Sequence, residues 1–113
     1  MKDINYRDFT LGSGETVKLS LAHILQLKLS TKRKDIYAKY SKISGRGPQN
    51  ELENAYILYA AYACAYVGMN DGDGGMMGET EWYEAMTEDR DAINEALQGL
   101  YYPNRKTASA GRS

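Results

Sequence analysis

The side chains able to do chemistry are few in this sequence. It holds one histidine, His23, and one cysteine, Cys64. That pair excludes an intramolecular disulfide and a Cys/His zinc cage built by one chain. A nucleophilic thiol needs positive surroundings to lower its pKa. Cys64 lies within residues 54–70, which carry no charge, so it reads as a small, inert hydrophobe. His23 has no acidic or nucleophilic neighbour in sequence and reads as structural or surface. Asp71-Gly72-Asp73-Gly74 opens like a calcium loop. The fifth, sixth and twelfth positions of such a loop need an oxygen ligand, a glycine and a glutamate. Here they are Gly75, Met76 and Trp82, so the segment reads as a solvated, flexible linker. No phosphate-loop pattern occurs, and Gly72, Gly74 and Gly75 sit among acids that repel phosphate. Glu79, Glu81 and Glu84, and Glu88, Asp89 and Asp91, cluster where helix N-termini attract acids. The sequence therefore predicts no catalytic residue, no metal site, no cofactor and no enzyme.

Charge is the stronger signal. The net charge of the 113 residues is −1, but it is unevenly placed. Residues 28–46 sum to +6, residues 51–95 to −10 and residues 104–113 to +3. A chain polarised in this way favours complementary association, either with a partner or between copies. Lys32, Arg33 and Lys34 are the candidate self-association patch, within a basic segment that also holds Lys39 and Lys42. The same segment supports an alternative, a small helical DNA-binding regulator, because phosphates need cations. The acidic stretches oppose that alternative. Tyr37 and Tyr40 share an apolar face with Ile36 and read as core rather than base-stacking residues.

The elements that position these residues follow from periodicity. Ile4, Tyr6 and Phe9, then Val17, Leu19 and Leu21, alternate around a Gly12-Ser13-Gly14 turn, which predicts a β-hairpin. A lone hairpin is marginal in water, so it must pack on helices or on a partner. Ser20 as a cap, then Leu21, Ile24, Leu25 and Leu27, predict a helix over 21–30 that Ser30-Thr31 interrupts. Thr31 caps a second helix over 33–43, with Ile36, Tyr37, Tyr40 and Ile43 inward. A loop at 44–48 follows, with two glycines and Pro48. Asn50 and Glu53 resemble a capping box ahead of a long helix. Leu52, Ala55, Tyr56, Tyr59, Ala63 and Tyr66 share one side of it with Tyr62 at the edge, and Ile57, Ala60, Ala61, Cys64 and Gly68 share the other. A helix apolar all round belongs at the centre of a fold. Its seventeen uncharged residues, four of them tyrosine, are short of the roughly 20 apolar residues of a membrane span. Thr80 caps a short helix bearing Trp82, Tyr83 and Met86, and a last helix over 88–101 turns Ile93, Ala96, Leu97 and Leu100 inward. The prediction is a mainly α (α+β) fold, an N-terminal hairpin on a bundle of four to five short helices. It forms a single domain over 1–103 with a disordered basic tail over 104–113. No apolar run follows Met1-Lys2-Asp3, so no signal peptide is expected and a reducing, cytoplasmic setting is.

Ten tyrosines against one phenylalanine suit a packing surface that is alternately exposed and covered. The candidate partner-binding groove is Leu52, Tyr56, Tyr59, Tyr62 and Tyr66 with Trp82 and Tyr83. The order of these pieces resembles the tail assembly chaperones of long-tailed phages and prophages of Gram-positive hosts. The matching segments are Val17-Lys-Leu-Ser-Leu-Ala-His-Ile24, the Ala55–Ala65 helix, Glu81-Trp-Tyr-Glu-Ala-Met86 and Glu88-Asp-Arg-Asp-Ala-Ile93. The resemblance implies a non-enzymatic protein that binds the tape-measure protein and keeps it soluble while the tail tube assembles. It implies a homo-oligomer in the host cytoplasm, absent from the mature virion. It also implies a second, frameshifted product extended beyond Pro103, through which the tail tube protein is contacted.

Overall fold

The structure, a computed structural model, describes residues 5–70, 72 and 74–102. Chain order is β1 (Arg7–Thr10), β2 (Thr16–Leu19), α1 (His23–Lys32), α2 (Lys34–Arg46), α3 (Glu51–Asn70), α4 (Glu79–Ala85) and α5 (Arg90–Tyr101). The fold is mainly α, an N-terminal antiparallel hairpin packed on helices, as the periodicity predicts. No helix among the described residues is long and apolar enough to cross a membrane. Ile4 and the tail over 104–113 lie outside the described residues.

In the hairpin Phe9 pairs with Val17 and Arg7 with Leu19, so one face turns Phe9, Val17 and Leu19 into the core. The other face carries the Asp8–Lys18 ion pair and the Thr10–Thr16 hydroxyl contact. Gly14 takes φ +96° in the connecting turn, a conformation that suits glycine.

The central helix α3 starts where the capping residue stands. The Asn50 carboxamide oxygen accepts from the Glu53 N–H at 2.9 Å. The Glu53 carboxylate accepts from the Gln49 N–H rather than from Asn50, so the reciprocal half of the box closes one residue earlier. From Ala55 to Ala65 every residue is buried. On the small-residue side, α1 and β2 come close. A Cβ on Gly68 would stand 2.4 Å from Leu25 Cδ2, and the Ser20 N–H donates to the Ala61 carbonyl at 3.2 Å. On the tyrosine side, α4 and the preceding loop complete the enclosure.

Several boundaries differ from expectation, and α2 also runs on to Arg46, through the first residues of the loop expected at 44–48. Helix α1 begins at His23 and continues to Lys32, because the Ser30 and Thr31 hydroxyls bond back to the Leu27 carbonyl instead of breaking the turn. Its buried pair is Leu25 and Leu29, which leaves Ile24 and Leu27 exposed. Arg33, not Thr31, stands at the junction with α2. Gly78, not Thr80, precedes α4, and its N–H meets the Glu81 carboxylate at 3.4 Å. Helix α5 begins at Arg90, with the Asp89 carboxylate accepting from the N–H groups of Asp91 and Ala92.

Candidate helix-binding groove

The aromatic residues assemble, but mostly inside. Trp82 is fully buried, stacks on Tyr62 with centroids 5.1 Å apart, and meets the Tyr59 ring at a tilt of 47° with centroids 5.7 Å apart. Its indole N–H donates to the Ala55 carbonyl at 3.0 Å. The Tyr59 hydroxyl donates to the Met77 carbonyl at 2.9 Å, and the Tyr62 hydroxyl accepts from the Met77 N–H at 2.8 Å. The Tyr66 hydroxyl donates to the Gly74 carbonyl. Successive turns of α3 thus grip the main chain of the loop ahead of α4. Burial pushes the Tyr56 hydroxyl up and that of Tyr59 to about 12, so both stay protonated hydrogen-bonding groups.

Of the seven residues expected to form an open partner groove, Tyr56, Tyr59, Tyr62 and Trp82 therefore line the interior. The reason is local: α4 is short enough to fold back over the tyrosine face, and Trp82 fills it. Tyr66 and Tyr83 are half-buried, and Leu52 is 66% exposed. The candidate groove is corrected to a core with two of its residues, Leu52 and Tyr83, at the outer margin.

That margin is where a groove lies. A trough of about 810 Å³ runs between α2, the first turns of α3 and α4. Its accessible apolar lining is Ala38, Leu52 and the half-buried Tyr83, with the buried Ile43 and Tyr56 beneath. One wall is the flank of α2 from Asp35 to Arg46, about 16 Å of helix at 1.5 Å per residue, or about three turns. Charges stand along its rim. Lys39 Nζ lies 3.0 Å from the Glu79 carboxylate and 4.4 Å from the centroid of the Tyr56 ring. Arg46 grips Glu53 with both terminal nitrogens, at 2.9 and 2.6 Å. This pairing and the Gln49 N–H hold the Glu53 carboxyl down at about 2. A second trough of about 360 Å³ lies on the other side of Leu52 and Tyr83, toward Met86 and Ile93. Leu52 and Tyr83 line both. They form the ridge between them.

The candidate self-association residues are at the α1–α2 junction. Lys32 and Lys34 are exposed, and Arg33 holds Asp35 through Nε and Nη2 at 3.0 and 2.9 Å. The structure brings them together but engages Arg33 internally. Sequence reasoning missed the α2 side of the groove, since Ala38 carried no motif, Ile43 read as core and Lys42 read only as part of the basic segment. The available signal was Leu52, the one large aliphatic residue in the otherwise polar first turn of α3.

Cys64 is buried, and desolvation pushes its thiol up to about 12, far from a reactive thiolate. No group of three or more His, Cys, Asp or Glu residues converges to hold a metal among the described residues. No protein-family model matches the sequence, and no curated protein and no solved structure matches it either.

Proposed function

We propose that this chain is a non-enzymatic tail assembly chaperone that holds an amphipathic helix of a phage tape-measure protein and keeps it soluble while the tail tube assembles. The observation that carries the reading is the three-turn trough beside α2, with apolar surface and an uncovered Leu52 at its edge. A groove of that length and chemistry suits an amphipathic helix laid along it, with aromatic and aliphatic anchors beneath. The resemblance in segment order supplies the identity of that helix. Modest affinity per copy suffices when many copies line one long partner, because neighbouring contacts act together. Copies associate through the Lys32–Lys34 junction of one chain and the acidic α4–α5 region of the next. The protein acts in the host cytoplasm, leaves before the virion matures, and meets the tail tube protein through an extended product.

The test is co-expression with a tape-measure fragment. The fragment becomes soluble and co-elutes with this chain on sizing. A fragment that stays insoluble, with no complex eluting, ends the proposal.

A further inference from the structure

The charges around the groove do not all cancel. Of its three carboxylates, Glu79 is held by Lys39, Glu53 by Arg46 and Asp35 by Arg33. Lys42 lines the same trough between Lys39 and Arg46, exposed, with no ion pair to any described residue. Lys34 stands eight residues earlier on α2, about 12 Å away, exposed and likewise without an ion pair among the described residues. The uncompensated charge in this trough is therefore positive, whereas Glu88 lines the trough on the other side of Leu52.

We infer that the groove selects an acidic amphipathic helix, one whose apolar stripe covers Leu52 and Tyr83 while a carboxylate one turn away reaches Lys42. This rests on the helix-binding reading above and adds the sign of the partner's charge. A helix residue three or four positions from an anchor lies on the same face, so a single turn delivers both groups. Burying the anchor removes water around Lys42 and strengthens its attraction for the carboxylate. A basic helix would instead set cation against Lys42 and pull Glu53 and Glu79 from their partners. A second copy of this chain fits less well. Its exposed aliphatic pair, Ile24 and Leu27, lies on α1, which carries no acidic residue and has Lys28 and Lys32 on the same helix.

The experiment uses the full chain and two labelled helical peptides of about 18 residues with the same leucine stripe, one flanked by glutamate and one by lysine. Fluorescence anisotropy at low salt should show the glutamate peptide binding about tenfold tighter, with the preference fading as salt is raised. Lys42→Glu should abolish or reverse the preference, and Leu52→Ser should weaken both peptides. Equal affinity for the two peptides, or a preference that Lys42→Glu leaves intact, overturns the inference. So does a concentration-dependent dimer whose formation excludes the peptide, since a second copy then fills the groove. Capture of a tape-measure fragment by a chain indifferent to the two peptides would overturn the charge selection and leave the chaperone reading standing. Glutamate-peptide selection without any tape-measure complex would do the reverse.

Discussion

The two sides of α3 are closed by opposite means. On one side Ala60, Cys64 and Gly68 are small, so α1 and β2 press almost onto the helix backbone. On the other, large tyrosines reach outward and are met by a seven-residue helix and a loop. The first closure is made of proximity and the second of volume and hydroxyl bonds. The difference predicts opposite sensitivities, the small side to added atoms and the tyrosine side to removed ones.

The largest effect falls on the tyrosine side. Trp82→Ala empties the space against Tyr59 and Tyr62 and costs about 3–5 kcal/mol in urea denaturation. A loss below about 1 kcal/mol would mean α4 is not what seals that side. On the small side Ala61→Leu forces a larger side chain against β2 and costs about 1–3 kcal/mol, whereas truncating Ala61 to Gly costs about 1 kcal/mol through helix propensity. Equal losses for the two changes would erase the contrast. Tyr62→Phe removes only an oxygen, but it strips the Met77 N–H of its acceptor, and about 1–2 kcal/mol is expected. Faster hydrogen exchange at the Met77 amide should accompany it.

A fourth prediction concerns acid. The Glu53 carboxyl has a folded pKa lowered to about 2, chiefly by Arg46, from an ordinary 4.5. Its stabilisation is therefore complete above the unfolded value and lost as pH falls from about 4.5 toward 2. Glu53→Gln should flatten the fall of Tm across that window, and an unchanged acid limb would contradict the pairing. The smallest stability effect is expected at Leu52, because its side chain touches solvent more than protein. Leu52→Ser should shift unfolding by less than about 0.5 kcal/mol while weakening partner capture. A fully stable variant that also captures normally would remove the ridge from the site.

The fold was legible wherever one periodicity dominated. The run from Asn54 to Asn70 announces a central helix because it carries no charge on any face, and Asn50 marks the start of that helix by cap chemistry. Helix α1 was less legible. Its four aliphatic residues fit two inward stripes, and only packing against Gly68 selects Leu25 and Leu29. The candidate site was half legible. Tyrosine abundance pointed to a surface, yet hydrogen bonding to a distant loop carbonyl satisfies a hydroxyl as well as water does, and sequence does not reveal which partner is nearby. Leu52 and Tyr83 are the margin common to both readings.

The grip of Tyr59, Tyr62 and Tyr66 has an evolutionary corollary. Their hydroxyls bind peptide groups, which every residue supplies apart from the N–H that proline lacks, so the clasp reads main chain and asks only for a non-proline residue at position 77. The fixed points of the strap between α3 and α4 are Met76 and Met77, which pack against the core, and Gly75, where φ is +85° and a Cβ would stand 2.9 Å from the Tyr66 hydroxyl. Epitope substitutions or a fluorescent label at Gly72 leave the architecture intact, which makes that stretch the natural handle for watching this molecule at work.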